Sequence, residues 1–249
     1  MHRFLCIHLN PNAPTVEIND RWEIHHLKDV LRLKVHDKVV LFDGKGSEID
    51  GTIISLNHQG VRVRVENLQT SVKRKTSIAI ACAIPKKAKF ETIIEKCTEL
   101  GIDEIIPLQT HRTEIKLDID KKEKKLRRYQ TVAASAAKQC QRKFLPVIYS
   151  ITDFDDAIET FINHETLPLI SCLTGLRQNL CDIIKKLDNP PKRILFFIGP
   201  EGDFTADEIR RAIDAGCKAV SLGPNVLKVD TAAIAVTALT QLFLSDTKS

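Results

Sequence analysis

The chain has 249 residues, of which 43% are hydrophobic and 28% are charged, and its formal net charge is +5 at pH 7. These values are close to globular averages and exclude a disordered or collagen-like chain, and the length fits one large domain or two smaller ones. No window approaches the roughly 18 consecutive apolar residues of a membrane span. The N-terminal segment MHRFLCIHLN has no secretory-signal pattern, so a cytoplasmic protein is expected.

Seven cysteines are scattered through the chain, mostly inside apolar runs, and no two form a CxxC pair. An odd and scattered set predicts reduced, buried thiols, as in a cytoplasmic protein, and argues against a disulfide framework. The eight histidines show no ligand spacing either, so no metal site is predicted.

The predicted elements of the N-terminal part begin with a strand in RFLCIHL (3–9), followed by one amphipathic helix in DRWEIHHLKDVLRL (20–33). Asp20 is expected to cap this helix, with Glu23 completing a capping box. The residues expected on its apolar face are Ile24, Leu27, Val30 and Leu31.

Period-two runs then predict strands at 39–42, 49–56 and 61–65, joined by the turns DGKG and NHQG. Short strands joined by such turns predict a small antiparallel barrel. This barrel is assigned to residues 1–70, and the remaining residues, 71–249, are assigned to a second domain.

From Ser77 onward, apolar runs typical of buried parallel strands alternate with helical patterns. The predicted strands are SIAIACAI, EIIPL, VIYSI, LPLISCL, RILFFI and AVSLG. The predicted helices are KFETIIEKCTELG, residues 121–139, 153–163 and 179–187, ADEIRRAIDAG and DTAAIAVTALTQLFL. This alternation predicts an α/β domain with a mainly parallel sheet.

Positive charge is concentrated in residues 116–143, which contain ten Lys and Arg against three Asp and Glu. A basic segment on an otherwise nearly balanced chain is typical of a protein that binds a polyanion such as nucleic acid. A solvated helix face with surplus lysine has the same composition, so the charge pattern leaves both interpretations open.

Two successive strand ends carry loops rich in Gly and Pro, GPEGDFTADE (199–208) and GPNVLKVDTA (223–232). In open α/β sheets, ligands bind beyond the carboxyl ends of the strands, and glycine lets the backbone approach a ligand closely. Neither loop matches the GxGxxG or GxxxxGK[ST] motif, which argues against a nicotinamide-dependent oxidoreductase and against a P-loop.

The segments IEKCTELGIDEIIPL, IGPEGDFTADEI and SLGPNVLKVDTAA resemble the markers of the ribosomal RNA small subunit methyltransferase E family, of the SPOUT class. The resemblance covers nearly the whole chain. It implies a PUA-like, RNA-binding β-barrel followed by a SPOUT α/β domain with a parallel sheet and a C-terminal trefoil knot. It also implies a homodimer that uses S-adenosylmethionine to methylate N3 of one uridine in 16S rRNA. The rRNA within the small ribosomal subunit is the expected partner, and free rRNA stays open as the substrate.

The resemblance also implies roles for individual residues. The expected cofactor-binding residues are Cys172, Leu173, Gly199, Pro200, Glu201, Gly202, Leu222, Gly223, Leu227, Thr231 and Ala232. Two of the expected RNA-binding residues, Arg3 and Arg32, resemble family positions that face RNA. The others are expected from their places after predicted strands or after the basic helix: Lys86, Lys87, Arg112 and Arg142. Apart from Arg3, each of these residues would equally suit a solvated surface. Lys228 and Asp230 are expected at the reaction centre, Lys228 to stabilise the uracil anion. Asp230 is either a base or, the favoured interpretation, only the N-cap of the last helix.

Several positions depart from the family pattern, which usually reads RxLRxETA in the second loop. Asn225 and Lys228 stand in place of arginines and Asp230 in place of glutamate, while Asp203 stands where glycine is usual. Lysine keeps the charge of arginine but loses its bidentate fork. Two other functions therefore stay open: another SPOUT reaction such as ribose 2′-O methylation, and a catalytically silent rRNA-binding assembly factor.

Overall fold

The computed structural model describes residues 1–10, 12–57, 60–85, 89–113, 117–187, 189 and 191–246. The chain divides into two compact units. The first comprises Met1–Lys73 and Ala134–Leu145, and the second comprises Arg74–Ala133 and Pro146–Ser249. The domain boundary between residues 70 and 71 stays a prediction. The first unit also takes in residues 134–145 from later in the chain.

The first unit is built on a five-stranded sheet. Its strands are β1 (His2–Leu5), β2 (Thr15–Ile18), β3 (Lys38–Phe42), β4 (Ser47–Leu56) and β5 (Val61–Thr70). The strand order is β1-β3-β4-β5-β2, and β1 pairs in parallel with β3 whereas the other pairs are antiparallel. The expectation of a wholly antiparallel barrel is therefore wrong for β1. The long segment between β1 and β3 supplies the crossover that a parallel pair requires.

The predicted amphipathic helix is in fact two short elements. An α-helix, α1, spans Arg21–His25, and a π-helical turn spans His26–Val30. The Asp20 cap is confirmed, since its side chain accepts a hydrogen bond of 2.9 Å from the backbone N–H of Glu23. The capping box is only half formed, because the Glu23 carboxylate instead accepts a hydrogen bond from Lys138. The π turn adds a residue per turn, so Val30 leaves the apolar face and is 59% exposed.

The second unit contains an eight-stranded sheet. Its strands are β6 (Ser77–Ala83), β7 (Glu104–Gln109), β8 (Val147–Ile148), β9 (Thr152–Asp153), β10 (Thr166–Ser171), β11 (Gln178–Asn179), β12 (Arg193–Ile198) and β13 (Lys218–Ser221). The order is β11-β13-β10-β12-β6-β7-β8, with β9 also pairing with β7, and these pairs are parallel. The predicted strand in VIYSI is reduced to the two residues of β8.

Six helices alternate with the strands of the second unit. They are α2 (Lys89–Glu99), α3 (Ile119–Gln139), α4 (Phe154–Phe161), α5 (Leu180–Lys185), α6 (Ala206–Asp214) and α7 (Val229–Asp246). The helix α3 begins in the second unit and ends in the first.

The sheet of the second unit is buried on both faces. In β6, Ile78 and Ile80 belong to one apolar cluster, which also contains residues of α2, α3, α5 and α7. Ala79 and Ala81 belong to the opposite cluster, with residues of α4 and α6. Burial on both faces explains why this strand reads as an uninterrupted apolar run. The predicted α/β domain with a parallel sheet is confirmed.

No helix in the described part of the chain combines the length and the apolar character that crossing a membrane requires. All seven cysteines are free thiols, and five of them are buried. The expectation of reduced, largely buried cysteines therefore agrees with the fold.

Candidate active site

A cavity opens in the second unit at the carboxyl ends of β10 and β13, beside the first turn of α7. Six of the expected cofactor-binding residues line it: Cys172, Leu173, Leu222, Gly223, Leu227 and Ala232. Residues distant in the chain thus meet at one edge of the sheet, because parallel strands end on the same side. Their role in binding a cofactor stays a prediction.

The loop after β13 exposes its backbone to this cavity. Gly223 has φ +130°, and no atom lies within 4 Å of the place a Cβ would occupy. Ser221 steadies the turn, because its hydroxyl donates to the Gly223 carbonyl at 3.2 Å. Glycine therefore provides both an unusual backbone conformation and room for a ligand to approach the peptide groups.

The GPEG loop (199–202) follows β12, the strand next to β10. None of its four residues, all of which the structure describes, lines the cavity itself. Gly199 packs closely on Phe204, since a Cβ at Gly199 would lie 3.0 Å from the Phe204 ring. Glycine at this position allows close packing within the loop, and the expected cofactor contact of the GPEG residues stays a prediction.

A carboxylate holds the helix that follows the GPEG loop. Thr205 and Glu208 form a capping box at the start of α6, and Glu208 is only 1% exposed. The second carboxylate oxygen of Glu208 accepts a hydrogen bond of 2.8 Å from the backbone N–H of His111, just after β7. The Thr-x-x-Glu spacing in TADE was a signal for the box, whereas the contact with His111 has no counterpart in the sequence pattern.

Arg112 lies beside the GPEG loop. Its guanidinium donates hydrogen bonds to the carbonyls of Gly202 and Phe204. The side chain is therefore committed to the loop backbone in this structure, and its expected contact with RNA phosphate stays a prediction.

Lys228 and Asp230 lie at the start of α7. The helix begins at Val229, and the Lys228 carbonyl accepts a hydrogen bond of 2.8 Å from the N–H of Ala232. Lys228 thus occupies the N-cap position, and the prediction that Asp230 is the N-cap is wrong. Asp230 lies within the first helical turn, where the helix dipole favours a negative charge.

The Lys228 side chain is exposed, Asp230 is half-buried and Thr231 is exposed. Burial raises the pKa of the Cys82 thiol well above its ordinary value, and the negative charges of Asp230 and Glu201 raise it further. Cys82 lies near the carboxyl end of β6. Both carboxylates are therefore within electrostatic range of the Cys82 thiol.

Arg177 is a cavity residue that the sequence did not single out. Its guanidinium donates a hydrogen bond of 3.0 Å to the Cys172 carbonyl. Burial raises the pKa of the Cys172 thiol, the Asp203 carboxylate raises it further, and Arg177 lowers it. Cys172 therefore lines the cavity as a neutral thiol.

The expected RNA-binding arginines of the first unit have different surroundings. Arg3 forms a buried ion pair with Glu48, its side chain being 9% exposed, and donates to the carbonyl of Arg142 at 3.2 Å. The Arg3 guanidinium thus joins two distant segments of the first unit, and its charge is neutralised there. Arg32 is exposed, with φ +54°. Lys86 and Lys87 lie outside the described residues.

The basic helix α3 is fixed to the second unit by Tyr129, whose ring lies 5.0 Å from that of Phe90 on α2. Several of its cations are paired: Arg128 with Glu91 at 2.9 Å, and Lys121 with Asp118 at 2.7 Å. These pairs are exposed, so each contributes little stability and leaves its cation accessible to a polyanion. In the described ranges, no three His, Cys, Asp or Glu side chains are placed to hold a metal ion.

Comparison with known proteins gives consistent matches over both units. Residues 72–241 match an RNA methyltransferase domain, and residues 18–66 match an RNA methyltransferase PUA domain. Over 210 residues the chain is 35% identical to the ribosomal RNA small subunit methyltransferase E of Synechocystis, a match covering 84% of this chain and 67% of the relative. Over 227 residues it is 29% identical to the Bacillus subtilis protein of the same name, covering 88% and 87%.

Two solved structures are similar to the chain over nearly its full length. A Legionella pneumophila methyltransferase in complex with the bound cofactor SAM (S-adenosylmethionine) has a TM-score of 0.86 and 28% identity, covering 96% of each chain. A Neisseria gonorrhoeae ribosomal RNA small subunit methyltransferase E bound to S-adenosyl methionine has a TM-score of 0.85 and 27% identity, covering 97% of each. The matches confirm a PUA domain followed by an α/β methyltransferase domain.

Proposed function

The chain belongs to the ribosomal RNA small subunit methyltransferase E family, and from this premise we propose that it transfers the methyl group of S-adenosylmethionine to N3 of one uridine in 16S rRNA. The observation that carries the proposal is the cavity at the carboxyl ends of β10 and β13, where six expected cofactor-binding residues meet. Two structural relatives hold the same cofactor.

The lining of the cavity suits the nucleoside part of the cofactor. Leu222, Leu227 and Ala232 offer apolar surface to an adenine ring, and the exposed peptide groups at Gly223 offer hydrogen-bonding partners. When bound, S-adenosylmethionine supplies an already activated methyl group. The chain itself then needs to align the acceptor, exclude water and assist removal of a proton.

We assign the proton chemistry to the two side chains at the start of α7. Uracil N3 must lose its proton as it takes the methyl group, so negative charge develops on the ring. Lys228 is exposed beside the cavity and stabilises that charge. Asp230, inside the first helical turn and half-buried, accepts the N3 proton. Lysine in place of the usual arginine keeps the charge that this role requires.

The RNA partner is proposed to be 16S rRNA within the small ribosomal subunit, in the cytoplasm. The exposed cations of α3, together with Arg32, Arg112, Arg142 and the Lys86–Lys87 pair, supply phosphate contacts, which give affinity without reading sequence. Arg3 contributes by holding the Arg142 segment in place.

A homodimer is also part of the proposal. The helix α7 is apolar over most of its length, and Leu242 on it is 68% exposed. The homodimer is proposed from the family resemblance, and a second copy is one occupant that would cover the exposed Leu242 side chain. The trefoil knot implied by the family stays a prediction.

The direct experiment supplies methyl-labelled S-adenosylmethionine and the purified chain to small subunits from a strain lacking the enzyme. The rRNA is then digested and its nucleosides are analysed by mass spectrometry. We expect labelled 3-methyluridine. A labelled ribose-methylated nucleotide would instead support 2′-O methylation. Cofactor binding and subunit binding without any labelled product would support the assembly-factor alternative.

A further inference from the structure

Asp203 adopts a backbone conformation that most residues avoid. Its φ is +62°, in the left-handed region, where glycine is favoured and Asp and Asn are the usual exceptions. Its N–H donates a hydrogen bond of 2.9 Å to the Pro200 carbonyl and so closes the turn of the GPEG loop. The family's usual glycine would satisfy this turn equally well, so the turn alone gives no reason for a carboxylate here.

The carboxylate of Asp203 makes two further bonds. One oxygen accepts from the backbone N–H of Phe204 at 2.9 Å, within the same loop. The other accepts from the backbone N–H of Leu173 at 2.8 Å, in the segment that follows β10. The carboxylate therefore joins two segments that are 30 residues apart in the chain, one of which lines the cavity.

The hydrogen bond between Asp203 and Leu173 lies beyond the end of the paired strands, where the sheet no longer holds the two segments together. The parallel pairing of β10 with β12 ends at Ser171 and Ile198. Beyond these residues the backbones separate into loops, and strand-to-strand hydrogen bonds no longer set their spacing. The Asp203–Leu173 bond continues the connection two residues past the strand end, with a charged acceptor, which makes a stronger bond than a neutral one.

Other hydrogen bonds support each segment separately. Arg112 donates to the Gly202 carbonyl in the GPEG loop, and Arg177 donates to the Cys172 carbonyl. Each loop thus has a support of its own, and the Asp203 carboxylate adds a hydrogen bond that joins the two loops directly.

We infer that Asp203 is a positioning residue: its carboxylate fixes the Cys172–Leu173 wall against the GPEG loop and so preforms the cofactor cavity. The inference rests on the proposed function, because the cavity is taken to hold S-adenosylmethionine. A wall already fixed before binding spares the cofactor the entropic cost of ordering it. Asp203 itself transfers no proton and does not line the cavity.

The test compares D203G and D203N with the unaltered full-length chain. Glycine keeps the left-handed turn but removes both acceptors, whereas asparagine keeps the size and one carbonyl oxygen. We expect the Kd for S-adenosylmethionine, measured by calorimetry, to rise about tenfold in D203G, the loss typical of one charge-assisted hydrogen bond. D203N should lie between D203G and the unaltered chain. KM for the cofactor should rise in parallel, with kcat nearly unchanged.

A second readout does not depend on the cofactor. The Leu173 amide should exchange its hydrogen at least about tenfold faster in D203G than in the unaltered chain, because its acceptor is gone. Asp207→Asn is the matched control: Asp207 is an exposed neighbour on α6 that pairs with Arg210 at 2.9 Å. This control should change neither quantity.

The outcomes separate the inference from the proposed function. Unchanged cofactor affinity and unchanged Leu173 exchange in both variants would overturn the role of Asp203 and leave the proposed function standing. An unaltered chain that binds no S-adenosylmethionine would refute the proposed function, while faster Leu173 exchange would still show the link between the loops. If D203G fails to fold, D203N provides the same comparison with a residue that tolerates the backbone conformation.

Discussion

Glu208 gives the sharpest stability prediction for the part of the fold that supports the site. Its side chain is 1% exposed and accepts three hydrogen bonds. The donors are the backbone N–H of Thr205 at 2.8 Å, the Thr205 hydroxyl at 3.0 Å and the backbone N–H of His111 at 2.8 Å. Substituting alanine removes every one of these acceptors.

The expected cost of E208A follows from the donors left behind. An unsatisfied buried donor costs about 1–3 kcal/mol, and here two partly buried backbone N–H groups, at the low end of that range, lose their acceptors. We therefore expect a loss of about 2 kcal/mol. For a protein of this size, that lowers the unfolding midpoint by about 4–8 °C.

The measurement is thermal unfolding followed by far-ultraviolet circular dichroism, with Asp207→Ala as the control on the same helical turn. Asp207 is exposed and its ion pair with Arg210 is a surface pair, so the control should move the midpoint by less than about 2 °C. A shift in E208A no larger than in the control would refute the view that this carboxylate ties the start of α6 to the segment after β7.

Three further predictions concern the site and the core. Ala232→Leu should leave the circular dichroism spectrum unchanged but weaken S-adenosylmethionine binding on the order of 100-fold in calorimetry, because the added side chain fills the cavity; binding within threefold of the original would exclude the cavity as the site. Lys228→Gln should lower kcat about 100-fold with little change in KM for the cofactor, and Lys228→Arg should restore most of it; equal losses in both variants would argue against a role based on charge. Burial raises the pKa of the Cys97 thiol from 9.0 to about 12. Between these pH values the folded state keeps a proton that the unfolded state releases. The free energy of unfolding is therefore unaffected by this group below pH 9 and falls as the pH rises from 9 to 12. Urea unfolding at pH 8 and pH 10.5 should show this loss, and Cys97→Ala should reduce it; the same pH dependence in both proteins would contradict the assignment.

The sequence predicted the second unit well because its signals are local. A run such as SIAIACAI is apolar throughout only when both faces of the strand are buried, and Ile78 and Ala79 indeed face opposite clusters. The predicted helix KFETIIEKCTELG stops at Gly101, and in the structure Gly101, with φ +92°, follows shortly after α2 ends at Glu99. Strand ends could therefore be located, and with them the edge at which a cavity forms.

The first unit shows what local patterns miss. Parallel pairing of β1 with β3 joins residues 37 positions apart, such as His2 and Val39, and no periodicity reports such a partner. The π turn at His26–Val30 is likewise invisible to a pattern that assumes 3.6 residues per turn. Both differences arise from pairing or packing that depends on the folded chain.

The backbone loops of the candidate site could be predicted from the sequence, whereas the partners of its charged side chains could not. Glycine and proline marked the loops, whereas Arg177 and Asp203 act through single hydrogen bonds to distant backbone groups. Arg3 shows that a charge can also have a partner that the sequence does not announce: a cation expected to face RNA is paired with Glu48 in the structure. A charged residue shows its partner only once the fold brings the two together.

The central claim is that the cavity between the ends of β10 and β13 and the start of α7 holds S-adenosylmethionine. A crystal structure of the full chain grown with this compound tests the claim most directly. We predict electron density for the cofactor against Leu222, Gly223 and Ala232, with its sulfur-bound methyl group directed toward the Lys228 side of the cavity. Density for the cofactor at any other place on the chain would contradict the account.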